Sequence, residues 1–268
     1  MMDYQLIIIC ALTAGINLIG TLAYAARIAG VRTRRIALSF ALFNVLVLVS
    51  RTSNGFLGPF LAKRVETRLI DHAGQSLVWD FQLIMASASI AVAFGILLVP
   101  TGQRIFTKAI SQFQTHKSII KLLAAGLRLK GMKEIRRSLS MPRFNILLEI
   151  TKPSGVSIGI ILSNTIAQAL LTVGVISSIY AGYLNTEYRV TASQLSSVIN
   201  GIATILLFTC IDPQLSQLTD DVVQGHTGEE LYRRTIVWIS MSRLLGTIIS
   251  QVLFLPAAHL IVAISSFI

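Results

Sequence analysis

The sequence predicts an all-α, polytopic membrane protein with six transmembrane helices, and three observations carry that reading. Of 268 residues, 53% are hydrophobic and only 13% charged, with a mean hydropathy of +0.71; an ordinary soluble globule does not have this composition. Several uncharged stretches reach the roughly 20 residues that a helix needs to cross about 30 Å of hydrocarbon. The apolar runs are continuous, whereas a membrane barrel needs many alternating strands of about ten residues. Lipid offers backbone groups no water partner, so continuous apolar spans are helical.

Span one, Tyr4 to Ala26, starts directly after Met1-Met2-Asp3 with no cationic n-region, so a cleaved signal peptide is not expected. Span two, Ile36 to Ser50, has 15 residues, roughly 22 Å of helix. It is followed by Arg51-Thr52-Ser53-Asn54-Gly55 and then Gly58-Pro59, and its basic flanks suit a re-entrant segment as well as a full crossing. Span three is Leu77 to Val99. The connection from Pro100 to Gly155 places Ile105, Ala109, Ile110 and Phe113 on one helical face, and Ile120, Leu123, Ala124 and Leu127 on another, with Lys and Arg between them. Basic amphipathic helices of this kind lie along cytoplasmic headgroups. They read first as a topology anchor and second as a recruiter of substrate lipid. Span four is Val156 to Tyr183, span five is Gln194 to Ile211 and stops at Asp212-Pro213, and span six is Thr235 to Phe267. The chain thus divides into a first membrane unit (1–99), a basic connection (100–155) and a second membrane unit (156–268).

Net charge is +11, and the cations are unevenly placed. Four Lys and Arg lie between Arg27 and Arg35, eleven between Arg104 and Lys152, and two at Arg233 and Arg234. The alternate connections carry four, Arg51 to Arg68, and one, Arg189. The positive-inside bias therefore puts both termini outside. In this setting the excess charge indicates anionic lipid rather than nucleic acid. Cys10 and Cys210 each lie in an apolar stretch and form no metal or disulfide framework.

A shift of 156 residues lays the first three spans on the last three and superimposes Tyr24 on Tyr180, Asn44 on Asn200 and Pro100 on Pro256. With three spans per unit, the repeat would be inverted. In such architectures the transport site is marked by short or Gly/Pro-interrupted spans at matching positions. Spans two and five fit this, so their ends, with Asn44 and Asn200, are expected beside a central cavity.

Arg243 lies well inside span six, where a central arginine costs about 2.5 to 3.5 kcal/mol even on the lenient insertion scale. It reads either as an anion contact, since guanidinium forks match phosphate oxygens, or as an internal ion pair with Asp80 or Asp212. Arg27, Arg32, Arg34, Arg35 and Arg51 bracket span two. Singly they are topology signals; together they would suit a diphosphate arriving from either face, with Lys63 and Arg64 extending the outer group. Asn17, Asn164, Gln168 and Gln251 read mainly as interhelical glue, at about 0.6 kcal/mol each. Asp80 and His259 are the titratable candidates for proton coupling.

Enzyme signatures are weak. Gly155-Val156-Ser157-Ile158-Gly159 matches a nucleophile-elbow pattern but lies at the entry to a membrane helix rather than in a strand-turn-helix. The four histidines are scattered, and no zincin or Walker A motif is present. Asp220, Asp221, His226, Glu229 and Glu230 could hold a divalent ion, but a solvated connection is the better reading. No metal, cofactor or nucleotide is therefore expected.

The run from Gly20 through Tyr24-Ala25-Ala26-Arg27-Ile28-Ala29-Gly30-Val31-Arg32-Thr33-Arg34-Arg35, continuing through Phe43-Asn44 and Ser50-Arg51-Thr52-Ser53-Asn54 to Leu61-Ala62-Lys63-Arg64-Val65-Glu66, resembles the Amj family. These are bacterial alternative lipid II flippases that substitute for MurJ. The likeness is specific over roughly residues 15 to 66, and span count and length agree over the rest. It implies a multi-pass protein of the bacterial plasma membrane that moves lipid II from inner to outer leaflet for peptidoglycan synthesis. Its substrate is an undecaprenyl diphosphate bearing a disaccharide and a pentapeptide. The resemblance supplies no settled catalytic set. Arg27, Arg32, Arg35, Asn44, Arg51, Lys63, Arg64, Asn200 and Arg243 are substrate-binding candidates chosen for charge and position. Because six helices make a small container for such a headgroup, a homodimer is expected. The rival readings are a small-solute or ion transporter with a cavity closed to lipid, a metal-dependent lipid enzyme, and an envelope scaffold.

Overall fold

The computed structural model describes residues 3–70, 76–116 and 155–268. Among the described residues the regular structure is helical: α1 (Tyr4–Thr33), α2 (Ile36–Ile70), α3 (Leu77–His116), α4 (Ile158–Leu184), α5 (Arg189–Leu206), a π-helical segment (Leu207–Ile211), α6 (Asp212–Val223) and α7 (Glu229–Phe267). Six helices are long and apolar enough to cross a membrane, α5, the π segment and α6 forming one of them. The second amphipathic stretch expected in the basic connection lies outside the described residues. The first is not a separate helix, because α3 runs unbroken through Pro100.

Spans two and five are longer than hydropathy suggested. Each is a helix of 35 residues, Ile36–Ile70 and Arg189–Val223, so neither re-enters nor stops where its apolar run ends. The physical reason is that helices end where backbone hydrogen bonding ends, not where hydropathy falls. Gly55, Gly58 and Pro59 are accommodated inside α2 because neighbouring helices can re-satisfy freed backbone groups. Pro213 cannot donate to the ladder, and the chain adjusts with a π turn just before it.

Small residues set the packing. Ala23, Ala25, Ala26 and Ala29 are fully buried on α1. Gly95 and Gly102 of α3 close onto Thr21 and Ala25, the close approach that membrane helices use in place of a hydrophobic drive. A tight turn joins α1 to α2: Arg34 adopts a left-handed conformation (φ 54°) and caps α1 at Gly30 and Val31. Ser39 then donates to the Ala26 carbonyl at 2.7 Å. In the second half, Asn164 bonds the Ile239 carbonyl (2.9 Å) and Ser242 (2.7 Å), tying α4 to α7. Gln251 bonds Ser89, tying α7 to α3. These two amides are glue, as expected. In each half the first helix packs against both the second and the third, α1 on α2 and α3, α4 on α5 and α7. The two halves share that packing order.

The apolar core is split. One cluster gathers Ala23, Ala26, Ile28, Val31, Leu42, Phe43, Val99, Leu207, Leu215, Tyr232 and Ile236, toward the face that charge bias places inside. The other gathers Leu6, Ile9, Leu57, Leu61, Phe81, Met85, Val173, Tyr180 and Phe254, toward the face of the termini. Between them lies a level of polar side chains, where a site can form.

Candidate functional site

A cavity occupies that middle level, with two adjoining lobes of about 70 Å³ each. Both lobes are lined by Ser50 and Arg51 of α2, Gln168 and Leu171 of α4, and Arg243 of α7. The inner lobe adds Gly20, Tyr24, Phe43, Phe208 and Asp212; the outer adds Thr13, Asn17, Asn54 and Thr172.

Each arginine reaches the cavity for a local reason. Because α2 continues past Ser50, Arg51 stands near the middle of a long helix rather than at a loop boundary. Its Nη1 donates to Thr204 on α5 at 3.0 Å, and its guanidinium lies over the Phe208 ring at 5.0 Å. This contact bridges α2 and α5, which both pack on α4. Arg243 comes from α7 and lays its guanidinium against Gly20, where a methyl group would meet Nη2 at 2.6 Å. Its Nη2 donates to Asn17 Oδ1 at 3.3 Å, and its Nε is buried without a partner. Among the described residues neither arginine forms an ion pair, so the pairing of Arg243 with Asp80 or Asp212 is not what the structure holds.

The other cations divide. Arg27, 3% exposed, pairs with Asp212 at 2.7 Å on the inner side of the cavity and is stacked by Phe40 and Phe43 at 4.6 and 4.2 Å. Arg64 is buried at the outer end, locked onto Asp80 (2.8 Å) and Asp3, with Arg68 also on Asp80 at 3.3 Å. The Arg64 hydrogen bond holds the Asp3 carboxyl below its usual range. This cluster clamps the start of α1 to α2 and α3, and Asp80 is thereby a structural counter-ion. Arg32 sits at the surface with Glu229, and Arg35 donates to the Ile110 carbonyl. Lys63, Asn44 and His259 are exposed on the outside of the bundle. Asn200 faces Gly174 of α4 with its Oδ1 buried and unpartnered, and it does not line the cavity. The two matching asparagines are therefore not brought together. In the acidic connection, Glu229 and Glu230 pair with Arg233 and Arg234, and no group of metal-ligating side chains occurs among the described residues.

Sequence reasoning missed Gly20, Tyr24, Gln168 and Ser50 as cavity residues, and it met Asp212 only as a partner for Arg243. A signal existed: Asn17, Gly20 and Tyr24 fall at i, i+3 and i+7, on one face of α1.

Six helices of membrane-spanning length, with two cationic side chains that have no carboxylate ion pair among the described residues at mid-depth, define a multi-pass membrane protein with an internal polar site. A family model described as "Alternate to MurJ" matches residues 12–265. The lipid II flippase Amj of Bacillus subtilis (strain 168) is 34% identical over 256 residues, covering 92% of this chain and 91% of that protein. The chain belongs to the Amj family. No solved structure matches it.

Proposed function

We propose that this protein flips lipid II from the inner to the outer leaflet of the bacterial plasma membrane, acting as a transporter that breaks no bond in its substrate. The observation that carries the proposal is the pair Arg51 and Arg243, facing one mid-depth cavity with no ion-pair partner among the described residues. An isolated charge in hydrocarbon is prohibitively costly, and the costliest part of this substrate is its diphosphate. Guanidinium forks complement phosphate oxygens bidentately, so the two arginines offset that cost where it is greatest. Asn17 and Gln168 supply amides beside them for hydroxyl and peptide groups.

Lobes of about 70 Å³ accept a phosphate but not a disaccharide. Passage of the headgroup therefore requires α2 and α5 to part, which breaks the Arg51–Thr204 and Arg51–Phe208 contacts and opens the cavity sideways to the acyl chains. The prenyl tail stays in lipid throughout. A second copy of the chain would widen the container.

The test is rescue of cells depleted of their other lipid II translocators, read together with the accessibility of lipid II at the outer surface. Arg51→Gln and Arg243→Gln, at normal expression, are expected to lose rescue and surface lipid II; rescue by both refutes the assignment. A small-anion transporter also fits the lobe volume, and it predicts anion uptake with no change in surface lipid II.

A further inference from the structure

The cavity wall carries a single carboxylate among the described residues, Asp212, and its setting is unusual in three ways. It follows the π-helical segment, where the Asp212 N–H reaches back to the Leu207 carbonyl and Pro213 offers no donor. π turns inside α-helices are frequent at functional sites. It holds only one corner of Arg27: Nη2 bonds Asp212 Oδ1 at 2.7 Å, while Nε and Nη1 of the same guanidinium are buried and unpartnered. And it shares the inner lobe with Arg51 and Arg243, so one carboxylate stands among three guanidiniums. A half-satisfied buried arginine is costly, and two phosphate groups carry enough acceptor oxygens to supply what Asp212 leaves open.

We infer that Asp212 is an internal counter-ion holding on Arg27 the place of the substrate's phosphate, and that an arriving prenyl diphosphate displaces it. This rests on the reading of the cavity as the lipid II site and adds to it a third phosphate contact, Arg27, and an order of events. In the empty protein the Arg27–Asp212 pair closes the inner end of the cavity. A diphosphate repels the carboxylate and takes over the Arg27 donors. The π turn is the joint at which Asp212 and α6 swing aside. Between cycles Asp212 keeps the buried Arg27 compensated, while Arg51 and Arg243 stay open to the incoming anion.

The test uses the purified full-length protein in lipid nanodiscs, with farnesyl diphosphate as the probe. Asp212→Asn keeps a hydrogen-bonding side chain but removes the competing charge, and it is expected to tighten binding about tenfold, a typical coupling between competing interactions. Asp212→Glu, still anionic, should bind as the wild type does. Adding Arg27→Gln to Asp212→Asn should abolish the gain. If Asp212→Asn does not yield folded protein, Asp212→Ser provides the same comparison. Unchanged or weaker binding in the neutral variants, or equal tightening by Asp212→Glu, overturns the inference while leaving the cavity assignment intact. Binding of the probe that is insensitive to both Arg51→Gln and Arg243→Gln overturns the cavity assignment, and this inference with it.

Discussion

Gly20→Ala tests whether the placement of the Arg243 guanidinium matters, because it moves that group without removing it. The added methyl would lie 2.6 Å from Nη2 and 3.0 Å from both Cζ and Nη1. A relaxed contact needs roughly 3.5 Å, so the guanidinium must retreat by about 0.9 Å. The retreat breaks the 3.3 Å bond to Asn17 and carries the charge off its position in the cavity. Misplacement by about 1 Å costs on the order of 100-fold in rate, equivalent to about 2.7 kcal/mol. The backbone gains instead, since alanine favours a helix interior by about 1 kcal/mol over glycine. The expected signature is a melting temperature in detergent that is unchanged or raised, with lipid II translocation into proteoliposomes nearly lost. Gly15→Ala is the control: it lies on the same helix with nothing within 4 Å of the new methyl, and it should transport normally. Wild-type rates in Gly20→Ala, or equal losses in both variants, would refute the idea that the position of Arg243 governs transport.

The outer clamp and the α4–α7 seam give two stability predictions. Arg64→Ala leaves the buried Asp80, among the described residues, with Arg68 alone at 3.3 Å; breaking a buried pair costs about 3–5 kcal/mol, visible as a large fall in melting temperature that Asp80→Asn partly restores. Gly246→Ala drives a methyl to 2.7 Å from the Thr165 carbonyl oxygen and 3.0 Å from the Ala169 nitrogen. Backbone cannot retreat as a guanidinium can, so overpacking of about 1–3 kcal/mol should exceed the gain in helix propensity, and thermal unfolding should show a net loss.

The contrast between Gly20 and Gly246 illustrates what a sequence exposes and what it conceals. Both are glycines in apolar helices, and only the neighbour decides whether substitution disturbs function or stability. Arg243 was legible because an arginine amid an apolar run is conspicuous at any depth. Arg51 was legible as a cation but placed at a helix end, because hydropathy falls at the same residue whether the helix stops or turns its polar side inward. Asn44 and Asn200 share a register, yet register fixes neither the direction a side chain faces nor its partner; one is exposed and the other is turned to Gly174. Asp80 reads from the sequence as a titratable group or a partner for Arg243, and it is held by Arg64 instead.

By itself the sequence determined the solvent this chain lives in, the number of its crossings and the supply of arginines that lipid would not tolerate unaccompanied, because transfer free energies add along a local stretch of chain. Only the tertiary structure decided which of those arginines met a carboxylate and which were left facing a cavity. Pairing depends on residues far apart in the chain, 185 positions in the case of Arg27 and Asp212, and only the packed bundle brings them within reach.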